Sequence, residues 1–424
     1  MEGDKGRMEK RRVVVTGMGV VAPNGIGIDN FWDSLVHGRS GIKEITQFDV
    51  SSYPSKVAGE VEEFVPADYI TIKNSRRMDR FSQFGVACSK LALADSEINL
   101  EKFDGNSIGV SVGSSVGGLP HAEEQHTIFL EKGLKRVYPL FSTRLFVGSC
   151  MNNICIELGI HGLCYSISTG CATGADNVGY AYQVIQGGRA NLMLAGAVEA
   201  PLSPLTFGSF CLVGILSTQN NPPFKTPKPF DKNRDGIVLS EGGAVLVLEE
   251  LHHALNRNAP IYAEIVGYGT THDGYHITQP APDGQQAEKA ILMALDDGGV
   301  HPEEIDYICA HGSGTILNDK LETMVIKRIF NSQKNHILVS SIESMVGHPL
   351  GAAGALKIAA TACTIKDGVV PPTINYEHPD PECDLNYVPN HSIKKEINYA
   401  LCNSFSFGGK NSILVLKKFI NNTF

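Results

Sequence analysis

The sequence has 424 residues, of which 42% are apolar, so it is long enough for two domains or one duplicated domain around a large core. A formal net charge of -9 argues against a dedicated nucleic-acid binder, because such proteins usually present a basic face. The apolar runs are shorter than the roughly 20 residues that span a bilayer, which predicts no membrane association. The charged segment at residues 1–12 does not match a signal peptide, and ten cysteines without CxxC spacing indicate a reduced, cytoplasmic protein without a zinc site.

The first predicted element is a buried strand at residues 13–17 that leads into a glycine turn, followed by a helix that begins at Asp29. Apolar strands alternate with helical stretches over the rest of the chain, which predicts an α/β fold with largely parallel sheets. Two weak internal similarities pair residues 107–113 with 306–312 and residues 165–177 with 339–352. They predict that the chain has two halves with the same order of strands and helices. We place these halves at residues 1–255 and 256–424.

Cys171 is the candidate nucleophile. A plausible buried strand at residues 165–169 is broken by Gly170, and a helical pattern begins at Ala172. Cys171 would then lie at a helix N-terminus, where the helix dipole and free backbone N–H groups favour a thiolate and stabilise an oxyanion. The competing interpretation is an inert buried thiol, which is common among free cysteines.

Two histidines complete a candidate Cys/His/His set. His311 follows a predicted strand at residues 306–310, and His348 follows another at residues 337–341; each has a glycine neighbour. Imidazoles at such positions can donate hydrogen bonds to an enolate or assist a decarboxylation. For each histidine taken alone, a satisfied structural role is the alternative.

Together these motifs resemble the β-ketoacyl-acyl-carrier-protein synthase family over essentially the whole chain. The motifs are GCATG at Cys171, HGSGT at His311, VGHPLGAAG at His348 and the glycine-rich gating loop at residues 405–409. Within the family, STGCATGADNVGYA and PDPECDLNYVP resemble the ketosynthase α subunit of bacterial type II polyketide synthases more than the fatty-acid enzymes.

The resemblance implies a thiolase-like fold, with two similar halves in αβαβα layers and the site between them. It also implies a decarboxylative Claisen condensation. An acyl chain moves from carrier-protein phosphopantetheine to Cys171, and malonyl carrier protein then loses carbon dioxide and attacks the thioester. No cofactor is bound by the chain itself, since the carrier protein carries the 4'-phosphopantetheine. The implied substrate-binding residues are Ser313 and Thr315 on the pantetheine arm, Phe407 as the gate, Val116 along the acyl tunnel, and Phe405 and Phe210.

Glu343 is the clearest departure from the family pattern and joins the catalytic candidates. The family usually has a lysine there, paired with the acid at the position of Glu322, so two carboxylates are expected to face each other. Either Glu343 orients a histidine or a water during condensation, or a second substitution compensates. In the gating loop, Ser406 replaces a glycine and should stiffen the backbone.

The expected partner is an acyl carrier protein, which is acidic, so an enzyme of net charge -9 needs a local basic patch to bind it. The residues that we expect to contact the carrier protein are Lys73, Arg76, Arg77, Lys135 and Arg136. Arg80 and Lys132 lie in the same two clusters, and Arg144 replaces a small residue near them. The alternative is an ordinary solvated charged face. By resemblance the chain forms a heterodimer with a chain-length-factor homologue, with a homodimer as the second possibility.

The leading function is therefore an iterative ketosynthase of type II aromatic or polyene polyketide biosynthesis. The first alternative is a fatty-acid β-ketoacyl-carrier-protein synthase II. A non-catalytic chain-length subunit belongs to another class, and Cys171 speaks against it. A degradative thiolase would need a second catalytic cysteine in the final glycine-rich loop, whereas Cys402 precedes that loop on a predicted strand.

Overall fold

The computed structural model describes residues 10–100, 103–331 and 336–421. Most of the charged N-terminal segment lies outside these residues. The strands are β1 (Val13–Ala22), β2 (Gly25–Ile26), β3 (Lys43–Glu44), β4 (Val57–Ala58), β5 (Ile108–Gly113), β6 (Cys164–Tyr165), β7 (Leu192–Glu199), β8 (Gly242–Glu250), β9 (Ala263–His272), β10 (Tyr307–Cys309), β11 (Leu338–Ser340), β12 (Val369–Val370), β13 (Ile393–Lys394), β14 (Tyr399–Ser406) and β15 (Lys410–Lys417). The α-helices are α1 (Ile28–Val36), α2 (Ile72–Ser75), α3 (Arg80–Asp95), α4 (Leu119–Lys132), α5 (Phe141–Leu145), α6 (Ser149–Leu158), α7 (Thr173–Gln186), α8 (Pro204–Val213), α9 (Leu251–Asn256), α10 (Gln285–Gly298), α11 (Ile316–Ile329), α12 (Glu343–Val346) and α13 (Ala353–Asp367).

The two halves of the chain have equivalent strand orders within one continuous sheet. The first half has the strand order β6-β5-β7-β8-β1, and the second half has β11-β10-β14-β15-β9. In each half the two pairs nearest the outer edge are parallel and the next two are antiparallel. β1 pairs with β9 over three residues and joins the halves. The weak internal similarity of the sequence therefore corresponds to a duplicated topology.

Alternation along the strands sets the layers. In β8, Val245 and Val247 face a core shared with α3 and α6, whereas Leu246 and Leu248 face the central core. β15 alternates in the same way between the central core and a third core under α10 and α11. A period-2 pattern that is apolar on both faces requires cover on both faces. The result is an αβαβα arrangement with α7 and α13 in the middle.

The first strand is longer than the sequence indicates, because β1 runs through Gly17 and Gly19 instead of turning there. A Cβ on Gly19 would lie 1.9 Å from the carbonyl oxygen of Cys88 in α3. The glycine therefore serves close strand–helix packing and not a turn.

The predicted strand at residues 165–169 is also corrected, since only Cys164–Tyr165 is strand. β6 is an edge strand that pairs with β5. The side chain of Asn177 donates to the carbonyl of Ile167 at 2.9 Å and accepts from its N–H at 3.2 Å. These bonds occupy the backbone groups that a strand partner would otherwise use. Among the described residues, no helix is both long and apolar enough to cross a membrane.

Candidate active site

Cys171 lies at the turn between β6 and α7, two residues before the helix begins. Gly170 has φ of +61°, a conformation that favours glycine and reverses the chain at this point. The Cys171 side chain is partly exposed. Its backbone N–H donates to Oγ of Ser406, the last residue of β14, at 2.9 Å. A thiol at the start of a helix is thus presented between the two halves, with its amide held by a hydroxyl from the second half.

His348 faces the thiol directly. Its Nε2 lies 3.1 Å from Sγ of Cys171, and its Nδ1 lies 2.8 Å from Oε2 of Glu343. Both side chains are almost completely buried, at 3% exposure for His348 and 2% for Glu343. Burial acts to lower the pKa of His348, but the Glu343 carboxylate and the Cys171 sulfur outweigh it and raise the pKa to about 10. Cys171, His348 and Glu343 thus form a continuous chain of hydrogen-bond contacts.

His311 lies beside His348 in a different electrostatic environment. It follows β10, and the two imidazole rings meet edge to face with centroids 5.4 Å apart. Nδ1 of His311 is 3.0 Å from Nζ of Lys357, a lysine of α13 with no exposed surface. Burial, the Lys357 ammonium and His348 hold the pKa of His311 well below its ordinary value. Neighbouring imidazoles therefore favour opposite protonation states.

The expected carboxylate pair is wrong as a description of this site. Glu322 accepts backbone hydrogen bonds from His311 and Gly312, at 2.8 Å each, and one from the side chain of Asn403. Glu343 instead points at His348, and its Oε1 is 3.6 Å from Nζ of Lys357. Lys357 thus places a positive charge beside Glu343. Glu343 is therefore linked to Cys171 only through His348.

Ser313 and Thr315 lie on the loop that carries His311. Their hydroxyl oxygens are 3.1 Å apart, and Thr315 caps α11 by accepting from the N–H of Asn318 at 3.3 Å. Phe405 is buried on β14, with its ring edge to face with His311 at 6.0 Å. Phe407 is 38% exposed in the adjoining turn. The structure thus brings all four of these candidates to the second half's side of the site.

Val116 and Phe210 lie in the same apolar environment. Both are partly buried and pack against an apolar cluster that contains Phe207 and Leu350. Leu350 is two residues beyond His348 in the chain. An apolar lining therefore begins next to the catalytic candidates, as an acyl chain would require.

The basic residues form one surface instead of two separate clusters. Lys73, Arg76, Arg77, Lys135 and Arg136 are all exposed. Arg144 is central to this surface, because its guanidinium stacks on Tyr138 at 4.0 Å and donates to the carbonyl oxygens of Arg76 and Arg77. These contacts join the segment after α2 to the segment after α4.

Arg80 does not belong to this surface. It forms a two-pronged ion pair with buried Glu241, at 2.7 and 2.8 Å, and stacks on Phe84. The Arg80 guanidinium is therefore already occupied by contacts within the protein. Arg80 is corrected from a docking candidate to a structural residue.

Cys402, the second cysteine that a degradative thiolase would need, is unsuited to that role. It is fully buried in β14 and lies opposite Cys309 of β10. Burial raises the pKa of the Cys402 thiol well above its ordinary value. Among the described residues, no group of three or more His, Cys, Asp or Glu side chains could hold a metal ion.

Lys357 is the residue that sequence reasoning missed. It is the single charged side chain between Gly351 and Ile365, a stretch of small and apolar residues. A lysine inside such a run is seldom fully buried without a charged partner. That composition was the available signal, but its partner could be found only in three dimensions.

The family models agree with the whole arrangement. The beta-ketoacyl synthase N-terminal domain matches residues 10–254, and the beta-ketoacyl synthase C-terminal domain matches residues 262–377. The 3-oxoacyl-[acyl-carrier-protein] synthase 2 of Synechocystis sp. is 43% identical over 97% of this chain and 99% of its own length.

Two solved structures match with full coverage of their own chains and 97% of this one. One is a type II polyketide synthase acyl-carrier protein in complex with its ketosynthase bound to the hexaketide, with 36% identity and a TM-score of 0.89. The other is the ishigamide ketosynthase/chain length factor, with 34% identity and a TM-score of 0.90. These matches confirm the thiolase-like fold. The chain belongs to the β-ketoacyl synthase family and is an acyltransferase of the ketosynthase type.

Proposed function

We propose that the chain elongates fatty acyl groups by decarboxylative condensation on an acyl carrier protein, with Cys171, His348 and His311 as its catalytic residues. The observation that carries this proposal is the 3.1 Å separation between Sγ of Cys171 and Nε2 of His348, with the His311 ring beside it. Such a separation allows the thiolate to be formed and held by an imidazolium.

In the first half-reaction, Sγ of Cys171 attacks the carbonyl carbon of the acyl carrier-protein thioester. The bond between that carbon and the pantetheine sulfur breaks, and the sulfur leaves with the proton that His348 holds. The acyl group is then on Cys171. Its chain runs along the apolar lining that contains Val116 and Phe210.

In the second half-reaction, the malonyl group enters on its own carrier protein, with Ser313 and Thr315 beside the pantetheine arm. The bond to the malonyl carboxylate breaks, carbon dioxide leaves, and its electron pair forms an enolate. The Nε2–H of His311 stabilises the enolate oxygen, together with His348 once that ring has regained from water the proton it gave to the leaving sulfur, which is the one proton that the overall reaction consumes. The enolate carbon attacks the acyl carbonyl, the bond to Cys171 breaks, and a β-ketoacyl carrier protein is released.

Sequence identity favours a fatty-acid substrate over the polyketide substrate that we first preferred. The curated relative named 3-oxoacyl-[acyl-carrier-protein] synthase 2 is 43% identical, against 36% and 34% for the polyketide structures. Both comparisons cover 97% of the chain. The fatty-acid alternative is therefore the main proposal.

An iterative type II polyketide substrate is the second candidate. The observation in its favour is the high structural similarity to a ketosynthase bound to a hexaketide, at a TM-score of 0.89. In this case the product would be a poly-β-keto chain, which keeps every carbonyl that condensation creates.

The carrier protein is proposed to bind the basic surface around Arg144. This surface offers exposed cations from α2 and from the 3-10 helix at Leu134–Arg136. A chain of net charge -9 otherwise repels an acidic partner, so a local patch is needed for rapid encounter.

A second subunit is proposed to cover an apolar face. Large apolar side chains are more than two-fifths exposed on neighbouring helices, among them Leu130, Ile156, Leu205 and Leu212. Because α4 and α8 are in contact, the exposed side chains on these two helices favour an interaction site at this face. A homodimer fits the fatty-acid proposal, and a heterodimer with a chain-length homologue fits the polyketide proposal.

The test combines intact-protein mass spectrometry with reconstitution. The purified chain is supplied with acyl and malonyl carrier protein together with the reductases and dehydratase of fatty-acid synthesis. We expect an acyl adduct on Cys171 and growing saturated chains. Cys211→Ser, at another partly exposed cysteine, serves as the control that keeps the adduct.

Growth of an unreduced poly-β-keto chain only when a homologous subunit is added would favour the polyketide candidate. Absence of any adduct on Cys171 would contradict both proposals. It would revive a non-catalytic subunit.

A further inference from the structure

We propose that Glu343 and Lys357 form a buried positioning pair that holds His348 as the imidazolium beside Cys171 and His311 as the neutral Nε2–H tautomer. This inference rests on the proposed condensing function. It assigns a role in the chemistry to Lys357, which lies on α13, whereas Glu343 begins α12.

The contacts single out these two side chains. Glu343 Oε2 binds His348 Nδ1 at 2.8 Å, while Oε1 makes no hydrogen bond and lies 3.6 Å from Nζ of Lys357. Lys357 is fully buried and directs Nζ at His311 Nδ1 at 3.0 Å. Each member of the pair is therefore within hydrogen-bond distance of one histidine, and Oε1 of Glu343 also lies 3.6 Å from Nδ1 of His311.

Donor and acceptor chemistry fixes the tautomers. An ammonium can only donate, so His311 Nδ1 must accept and its proton must lie on Nε2. A carboxylate can only accept, so His348 donates from Nδ1 to Glu343. His348 Nε2 then shares its proton with the Cys171 sulfur. The directions of the two pKa shifts agree with this assignment, raised for His348 and lowered for His311.

The pair also places opposite charges side by side in a buried site. Removing a lone ion from water is costly, so a buried lysine needs an opposite charge nearby. Charge neutrality among Glu343, Lys357 and the Cys171–His348 ion pair avoids that cost. The titratable groups that face the two rings are Cys171 before α7, Glu343 at α12 and Lys357 on α13, while Glu322 on α11 accepts from the backbone N–H of His311.

The rival explanation is that the pair only stabilises the fold. Under that explanation, removing either charge would lower stability and impair every step alike. Under our proposal, Glu343 acts mainly through His348, which serves both half-reactions, whereas Lys357 acts mainly through His311, which serves only the second. The experiment therefore measures the two half-reactions separately.

Alkylation of Cys171 by iodoacetamide, located by peptide mass spectrometry, reports the thiolate and needs no carrier protein. Carbon dioxide release from malonyl carrier protein reports the second half-reaction. The proteins compared are the wild type, Glu343→Gln, Lys357→Met and the double reversal Glu343→Lys with Lys357→Glu. Glutamine and methionine keep the approximate size of the residues they replace.

We expect Glu343→Gln to slow alkylation near pH 7 by about tenfold or more, with the deficit closing as the pH rises, because less thiolate exists without the imidazolium. Lys357→Met should leave alkylation within about twofold and reduce carbon dioxide release by about tenfold or more. The double reversal should regain the thermal unfolding midpoint but keep the slow alkylation, since a cation then faces His348.

Equal losses of both half-reactions in both single variants, or a change in the unfolding midpoint alone, would overturn the proposal. So would a double reversal with the wild-type alkylation profile. If the wild type releases no carbon dioxide, the proposed function fails, while the alkylation series still decides the role of Glu343.

Discussion

His348 and His311 are separated by only 5.4 Å between ring centroids, yet the protein surrounds them with opposite charges. His348 is bordered by a carboxylate and a thiol, and His311 by a buried ammonium. The same side chain is thus prepared for two tasks by its neighbours alone. One imidazole is placed to carry a positive charge next to the nucleophile, and the other to donate one proton without charge.

The difference matters because condensation uses the site twice. Acyl transfer needs a thiolate, which a nearby imidazolium stabilises. Enolate formation needs hydrogen-bond donors that do not attract the malonyl carboxylate too strongly, and a neutral imidazole meets that need. The contrast between the two rings can be tested by variants that remove one side of it at a time.

The largest effect is expected from Cys171→Ala, which removes the atom that His348 faces. Elongation should fall by at least about a thousandfold, because a nucleophile has no substitute in the site. Turnover of acyl carrier protein measured by mass spectrometry checks this result. Retention of a tenth of the activity would show that the acyl group is not carried on this thiol.

The next effect is a division between the two histidines. His348→Ala should reduce both acylation of Cys171 and decarboxylation, while His311→Ala should reduce mainly decarboxylation, each by about a hundredfold or more. Single-turnover acylation and carbon dioxide release separate the two steps. Identical effects of the two variants on both steps would contradict the assignment of different tasks.

A smaller effect is expected at Ser406. Its Oγ accepts the backbone N–H of Cys171 at 2.9 Å, and that amide is the group best placed to stabilise an oxyanion on the acyl carbonyl. Ser406→Ala should release the amide without loosening the loop and speed acylation by about threefold, the scale of one net hydrogen bond. A matching gain in Ser406→Gly would assign the effect to the hydroxyl. Slower acylation in both variants would show that the hydroxyl assists the reaction.

The smallest effect concerns the basic surface, far from the rings. Lys135→Glu with Arg136→Glu should raise the KM for carrier protein by about five- to tenfold at low salt, and less at high salt, because exposed charges are screened. Lys289→Glu with Lys394→Glu, on exposed lysines of the other half, is the control. Equal changes in the two double variants would argue against docking at the basic surface.

Much of this architecture could be predicted from the sequence. The three catalytic candidates were recognisable because each follows an apolar segment and adjoins a glycine. This pattern is local in the sequence and does not depend on tertiary contacts. The residues are Cys171, His311 and His348. The duplicated sheet follows from two runs of strand and helix signals in the same order. The length of β1 was not predictable, since Gly19 resembles a turn residue until the packing of α3 is known.

The environment of the histidines depends on contacts that sequence spacing does not encode. Glu343 and Lys357 are 14 positions apart, and only the chain path through His348 into α13 brings them to 3.6 Å. An expected clash of Glu343 with Glu322 was therefore replaced by an ion pair. The residue that was not predicted is Lys357, a charged side chain in an apolar helix. Its partner is the carboxylate that lies closest to it in the folded protein and not a neighbour in the sequence.

The most direct test of the account is a nitrogen-15 NMR titration of histidine-labelled protein, with the two rings assigned by His311→Gln and His348→Gln. The account predicts that His348 stays protonated on both nitrogens until the pH approaches about 10. His311 should stay neutral, with its proton on Nε2, throughout the neutral range. Two rings that titrate together near the ordinary histidine value, or a charged His311 beside a neutral His348, would contradict it.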